Sequence, residues 1–559
     1  MKDTQKVMRF CTAIFMVLFL CLSCGTAKLD SYLPDLTSYT VEVPQVKKKN
    51  DSTFVYGDNF LTKNKQSLWE MYLSGNALQL GYNNGALSQK LLQNQERIFF
   101  SKVEELVPSP RKQRLLRTVL KFYNRKMPDF IRNDFQAEIY GLSRYSSDRY
   151  DDIAPKFLRN LYLHGAHDIG HAMQDLMLVG CSSLAVWNKQ SENGKLLIGR
   201  NFDFYAGDDF AAEKMVVFVK PERGIPYLSV GWPGMTGVVS GMNKNGLTVT
   251  INAGKSRIPW SAKTPVSLVT KEILQFASTI DEAIAIARNR QVFVSESIMV
   301  GSAQDGKAVL IEVSPKNFGV HEVANTGRLI CSNHFQSESY RNDRRNARHQ
   351  AESHSQYRWD RMQELLAAEP KLNPESMAAV LRNRQGLQDE SLGYGNEKAL
   401  NQLLAHHAVI FSPDERLVWV SSSPYQLGEM VAYDLNEIFS EDPVNGLLAA
   451  EDLNIARDSF ASSQAFLNYE EYRAEDRRIA GMIQEGKPVS DERWQAWQQL
   501  NPDLWSVYYK AGIYYYHRGA YAKAISQLET ALTKVITTVP EEQRVQKYLR
   551  KARRKASGN

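Results

Sequence analysis

Cysteine is scarce in this 559-residue chain. There are 5, and Cys11, Cys21 and Cys24 crowd the N-terminus, which leaves only Cys181 and Cys331 for a folded body. Two thiols cannot make a disulfide framework, and one bridge between them is the most they allow. Long apolar runs are also lacking. After Leu22 no stretch approaches the roughly 20 residues that a membrane-spanning helix needs. Charge of one sign is missing as well. Against 68 basic and 62 acidic residues the net charge of +6 is too small to imply nucleic acid. The one basic run, RNDRRNARHQ (Arg341 to Gln350), has no interleaved aromatics and reads as a solvated loop. A hydrophobic content of 43% and a charged content of 23% are those of an ordinary globular chain, long enough for two or more domains.

The N-terminus reads as an export signal. Lys2, Lys6 and Arg9 precede an apolar stretch from Phe10 to Leu22 that is too short to span a bilayer. It closes on Leu22-Ser23-Cys24-Gly25, which is similar to a bacterial lipobox with Cys24 as the lipidated residue. The expectation is a signal peptide over residues 1–24 and a body tethered to the membrane of a bacterial envelope by lipid on Cys24. Without that modification the protein is expected to be periplasmic or secreted.

From Ser67 to about Tyr145 the spacing predicts helices. Leu68, Met71, Tyr72 and Leu80 recur at helical intervals, as do Leu91, Leu92, Ile98 and Phe99, and then Leu115, Leu116, Val119, Leu120 and Phe122. Residues 25–180 are therefore expected to be a helical segment. The period changes at Cys181. Short β-rich runs follow, among them KLLIGRNFDF, KMVVFVKP, GLTVTINAG, VFVSESIMVGS and KAVLIEVSP, broken by the hairpin turns Asn193-Gly194, Asn245-Gly246 and Asp305-Gly306. A helical pair lies among them, its second member started by a capping box of Thr279 and Glu282. Strand meanders enclosing paired helices predict an α+β domain over residues 181–435. Residues 436–500 read as a helical linker. Residues 501–559 read as a tetratricopeptide-like helical region, with Tyr508, Gly512, Tyr515, Ala524, Leu528 and Ala531 at that spacing. One copy cannot bury its own apolar face, so it is expected to pack on the body as a cap, with protein contact as its other use.

Within GCSSLAVWNKQSENGKLLIGRNFDF (Gly180 to Phe204) one cysteine stands behind a glycine and ahead of a hairpin. An ordinary thiol with a pKa near ~8.5 is mostly protonated at neutral pH and needs a base or a cation. Cutting the Gly180–Cys181 bond would supply a base on the same residue, an α-amine with a pKa of roughly 7.7–8.0. Glycine at 180 would admit the strained backbone that internal attack requires. The hairpin returns Arg200 and Asp203 beside residue 181, where one would stabilise the thiolate and the other hold the α-ammonium. Two strand positions three apart face opposite sides, so this pairing predicts a bulge or twist at Asn201-Phe202.

Cys-Ser-Ser, a strand, Asn-Gly and then Gly-Arg-Asn-Phe-Asp-Phe resemble the autoproteolytic cysteine hydrolases related to acyl-coenzyme A:6-aminopenicillanic acid acyltransferase, a family akin to choloylglycine hydrolases, penicillin V acylases and acid ceramidase. SGMNKNGLTVTIN (Ser240 to Asn252), LICSNHF (Leu329 to Phe335), SQYRWDR (Ser355 to Arg361) and HHAVIFSPDERLVWVSSSP (His406 to Pro424) extend the resemblance to about Asp434. EMYLSGNALQLGYNNGAL (Glu70 to Leu87) is similar to the family's segment before the nucleophile. The resemblance implies a four-layer αββα N-terminal-nucleophile hydrolase core. It also implies Cys181 as nucleophile, Arg200 and Asp203 as its neighbours, Asn333 as oxyanion-hole donor, Asn252 as a second polar contributor and Arg358 as a charged residue completing the site. The expected activity is hydrolysis of a linear amide of a small molecule (acyl-amino acid, bile-salt or penicillin side-chain type), or transfer of its acyl group, with no cofactor. Residues 25–180 are much longer than a short propeptide and are expected to stay as a non-covalent subunit.

Blander readings stand beside these. Cys181 alone would pass for a small buried hydrophobe, the role expected of Cys331. His164, His167 and His171 have helical spacing but lack the Glu of HExxH, so a structural role is expected and no metal. A histidine such as His334 could serve an uncleaved thiol hydrolase. The rival from another class is a surface lipoprotein with a binding or scaffolding role. Trp232, Phe202, Phe204 and Trp260 are expected to line the pocket.

Overall fold

Strands whose two faces are both apolar must be covered on both sides. In MVVFVKP (Met215–Pro221), Met215, Val217 and Val219 enter one buried cluster while Val216 and Phe218 enter another. In VGCSSLAV (Val179–Val186), Leu184 and Val186 face one cluster and Ala185 the other. The computed structural model, which describes residues 31–172, 179–205, 207–255, 261–440 and 448–558, resolves these double faces into four layers. Two sheets meet across a core of residues such as Ile198, Phe218, Met299 and Val409. Helices Val266–Phe276 and Ile280–Arg288 cover the outer face of one sheet, and helices Ser355–Ala368 and Pro374–Leu381 that of the other. This is the α+β, αββα core expected. The capping box of Thr279 and Glu282 is in place, as are the turns at Gly194, Gly246 and Gly306, each with positive φ.

The first sheet has 11 strands, all neighbours antiparallel except one pair. That exception corrects the helical expectation for the segment before Cys181. Residues 47–75 form four strands, and the last, Trp69–Gly75, runs parallel to Met215–Pro221. Leu68, Met71 and Tyr72 fit a helical interval only because this strand is apolar on both faces. Trp69, Met71 and Leu73 face the helices, while Leu68 and Tyr72 face the inter-sheet core. Helix begins only at Ala77, capped by Asn76, whose side chain accepts from the Gln79 amide at 3.0 Å. The stretch Glu70 to Leu87 is thus half strand and half helix.

The second sheet has 6 antiparallel strands, in the order Arg328–Cys331, Val179–Val186, Leu197–Phe204, His407–Ser412, Leu417–Ser421 and Met430–Asp434. Cys181 therefore lies on an interior strand, paired at its own position with Phe202, while the pairing with Arg328–Cys331 runs only from Ser183 to Val186.

The C-terminal helices, from Gln464–Gln484 to Val539–Ala556, share a core that includes Leu403 and Leu427 of the sheet domain. Asn396 donates to the Val535 carbonyl at 3.0 Å, and Trp505 donates to Thr537 Oγ1 at 2.9 Å. The region is helical as expected and packs on the body. The signal peptide with Cys24, and Trp260, lie outside the described residues.

Helix Ala77–Leu106 touches helix Asn133–Ser143 backbone to backbone. A Cβ at Gly81 would sit 2.0 Å from the Glu138 carbonyl oxygen. Gly81→Ala is therefore expected to lower the unfolding free energy by about 1–3 kcal/mol in urea titration, as overpacking does. Gly481→Ala, where a Cβ meets nothing within 4 Å, is expected to be neutral or slightly stabilising.

Candidate active site

The hairpin around Cys181 is regular. Cys181 pairs with Phe202, Gly180 with Asp203 and Ser183 with Arg200, with no shift of register. The bulge expected at Asn201-Phe202 does not exist. Side chains simply alternate. Arg200 and Phe202 point between the sheets, whereas Asn201 points to the helix side and donates to the carbonyls of Leu381 and Leu400 at 2.8 and 2.9 Å. Asp203, two positions on, shares that side. Arg200 and Asp203 thus flank the 180–181 peptide from opposite faces of one sheet.

Arg200 is fully buried and places Nη2 3.7 Å from the Cys181 sulfur. It donates to the Val239 carbonyl at 3.1 Å, to Ser240 Oγ at 2.5 Å and to the Ile251 carbonyl, and it stacks on Phe202 with its carbon 4.2 Å from the ring centre. Burial pushes the Cys181 thiol up from its ordinary pKa. The Arg200 charge pulls it down, Asp203 and Glu296 push it up, and Arg358 pulls it down more weakly. Among the described residues Arg200 is the one hydrogen-bond partner of the sulfur, and no histidine reaches it.

The backbone side of Cys181 is equally organised. Its N–H donates to Asn333 Oδ1 at 3.0 Å. Arg358, fully buried on helix Ser355–Ala368, donates to the Cys181 carbonyl at 2.5 Å, to Ser182 Oγ at 2.8 Å and to Asn333 Oδ1 at 2.6 Å. Asp203 is fully buried, and neither carboxyl oxygen has a hydrogen-bond partner among the described residues. Burial pushes its carboxyl up to about 8, with Arg358 and then Arg200 opposing.

Asn333 also donates through Nδ2 to the Ala253 carbonyl at 2.9 Å, and its backbone N–H donates to Ser355 Oγ at 2.8 Å. Asn252 plays a different part. Its Oδ1 accepts from Ser183 Oγ at 2.8 Å, and its Nδ2 donates to the carbonyls of Cys331 and Ser332 at 3.2 and 3.1 Å. With every polar position engaged, it ties the two sheets together and has no donor to spare. Gly180 corrects a second expectation. Its φ lies outside the left-handed region, and what favours glycine there is the close approach of two side chains. A Cβ there would meet Gln402 Nε2 at 2.6 Å and His354 Cε1 at 3.3 Å.

Both body thiols are free and buried, so no Cys181–Cys331 bridge forms. Burial pushes the Cys331 thiol far above its usual range. His334 bonds Ser355 Oγ at 2.9 Å, and burial lowers it to about 4. His164 spans from the Asn160 carbonyl to Thr236 at 2.8 and 2.9 Å, while the side chains of His167 and His171 lie outside the described residues. Phe202, Phe204 and Trp232 stack in one group with Phe210 and His406. Sequence reasoning missed Ser355, Gln402, Ser240 and His407. Ser355 opens the quoted SQYRWDR stretch, and Ser240 and His407 also belong to quoted stretches. Gln402 carried no signal.

Known proteins resemble parts of this chain. An uncharacterised protein of Archaeoglobus fulgidus is 25% identical over 274 residues, 45% of this chain and 44% of its own length, so the match spans less than half of that relative. Among solved structures, a Caenorhabditis elegans ortholog of N-acylethanolamine-hydrolyzing acid amidase is 17% identical, covering 42% of this chain and 93% of that one at a TM-score of 0.30. A mutant conjugated bile acid hydrolase from Clostridium perfringens is 15% identical, covering 46% and 93% at a TM-score of 0.31. The family model described as acyl-coenzyme A:6-aminopenicillanic acid acyl-transferase matches residues 189–423, a stretch that begins after Cys181 and holds Arg200, Asp203, Asn252, Asn333 and Arg358, and over it the chain carries the family resemblance read from its sequence.

Proposed function

We propose that this chain is a self-cleaving amidohydrolase or acyltransferase acting on linear carbon–nitrogen amide bonds through a thioester on Cys181. One observation carries the reading. A thiol against a guanidinium, a backbone N–H on an amide oxygen and an unpartnered buried carboxyl all converge on a single residue. Among the described residues no cation hydrogen-bonds that carboxyl while the 180–181 bond is whole, and an α-ammonium on Cys181 would supply one.

In maturation the Cys181 sulfur attacks the Gly180 carbonyl carbon, and the C–N bond breaks in favour of a C–S bond. Water then hydrolyses that thioester, leaving a Gly180 carboxylate and a Cys181 amine. In turnover the α-amine takes the thiol proton, the sulfur attacks the substrate carbonyl, and the ammonium returns the proton to the leaving amine. Asn333 Nδ2 has a second N–H beyond the one given to Ala253, and this is the donor offered to the oxyanion, worth about 3 kcal/mol of barrier. Water or an acceptor amine resolves the acyl-enzyme. Strand Trp69–Gly75, which precedes the cut, sits inside the same sheet as strands that follow it, which supports a retained N-terminal chain. Export and lipid on Cys24 belong to the same reading and place the enzyme at a bacterial envelope.

Purified, processed protein is to be incubated with a panel of acyl amides and quenched in acid. The expected outcome is an added acyl mass on the peptide that begins at Cys181, absent from Cys181→Ala. Turnover by Cys181→Ala at the wild-type rate would rule out the thioester. A pH test follows from Asp203 in the uncleaved Cys181→Ala protein. In the folded protein it stands at about 8, above the ordinary carboxyl value of 3.8. The folded state therefore keeps a proton that the unfolded state has lost, so the stability from this group is full below about 4 and is lost as pH rises through about 8. Adding Asp203→Asn removes that loss. The double variant is expected to gain on its parent steadily from pH 5 to pH 8 in urea melts, and parallel stability profiles would contradict the assignment.

A further inference from the structure

We infer that Ser240 and His407 are positioning residues that hold Arg200 against Cys181 through a hydrogen-bond chain of fixed direction, ending on His406. The inference rests on the reading of Cys181 as nucleophile. It concerns residues to which the family resemblance gave no role, although they lie within two of its quoted stretches.

Direction follows from the inventory of donors. A guanidinium only donates, so Ser240 Oγ, 2.5 Å from Arg200 Nη1, accepts there. The serine has one hydrogen to give, and its other side-chain partner among the described residues is His407 Nε2 at 2.9 Å. The arrangement that uses the serine's hydrogen leaves Nε2 bare and puts the proton of a neutral His407 ring on Nδ1, whereas the reverse arrangement would strand that hydrogen. Nδ1 faces Nδ1 of His406 at 2.9 Å. In that arrangement the His406 Nδ1 accepts in turn, so His406 carries its proton on Nε2, a buried position without a hydrogen-bond partner among the described residues. The His406 ring sits against Phe202, Phe210 and Trp232. Arg200, Ser240, His406 and His407 are all fully buried, so bulk solvent does not reach any link.

The chain requires both rings to be neutral, since a protonated His407 could not accept from Ser240. Burial holds both imidazoles well below their ordinary range. Lys214 and Arg200 act in the same direction on His406, as do His406, Arg200 and Lys214 on His407. Arg200 depends on Ser240 because its Nε has no partner among the described residues, and two backbone carbonyls are its other oxygen acceptors there. Without the hydroxyl, the guanidinium is free to swing about those two carbonyls and away from the sulfur.

The test is the rate at which iodoacetamide alkylates Cys181 in the full chain, followed by peptide mass spectrometry across pH, with Cys331 as internal reference and a urea melt to confirm folding. The charges that set the thiol's midpoint besides Arg200 are Asp203, Glu296 and Arg358, and all stay in place. Ser240→Ala and His407→Phe are expected to slow Cys181 alkylation at pH 7.5 about tenfold and to raise its pH midpoint by about one unit. Ser240→Thr, which keeps the hydroxyl, is expected to match the wild type. Wild-type rates and midpoint in Ser240→Ala would overturn the inference, as would equal loss in Ser240→Thr or a wild-type Cys181 that does not react. Slowed alkylation in a protein that neither cuts itself nor turns over amides would leave the chain standing and remove the amidase reading instead.

Discussion

Two arginines, Arg200 and Arg358, are buried on opposite faces of one strand pair. A guanidinium away from water must find acceptors for its N–H groups or cost several kcal/mol. Arg200 finds them on the facing sheet, and Arg358 finds them on the Cys181 carbonyl, Ser182 and Asn333. Because those acceptors belong to separate strands and loops, and Arg358 itself to a helix, meeting them fixes how the two sheets and the helix Ser355–Ala368 sit around residue 181. The site geometry and the stability of the core are in this sense one constraint.

The same burial explains the imbalance on which the functional reading depends. Arg200 lies against the sulfur and favours its thiolate, whereas Asp203 lies on the other face with no hydrogen-bond donor among the described residues. An intact chain leaves that carboxyl protonated at neutral pH. A new ammonium on Cys181 would turn it into an ion pair and put a base beside the sulfur in a single step. Folding would thus store a favourable interaction that cleavage of the 180–181 bond would release, at a position where glycine leaves room for Gln402 and His354 beside the peptide.

Much of this was legible in the sequence, and the gaps have physical causes. The Asn193-Gly194 turn fixes a short hairpin, so the pairing of Cys181 with the Arg200–Asp203 strand could be read locally. Asn333 and Arg358 came through family resemblance alone, since nothing in their spacing brings them to Cys181. Residues 67–75 misled because a strand buried on both faces has no polar alternation and mimics a helical interval. Gly180 was assigned the right residue type for the wrong reason, room in place of backbone strain. Ser240 and His407 are 167 positions apart and act only across two sheets, a juxtaposition that no local pattern encodes.

The chemistry proposed at residue 181 depends on whether the chain is broken at one peptide bond. Intact-mass measurement of freshly purified protein under denaturing conditions tests this most directly. Two polypeptides, one ending at Gly180 and the other beginning at Cys181, are predicted. One unbroken polypeptide that still turns over amides would contradict it.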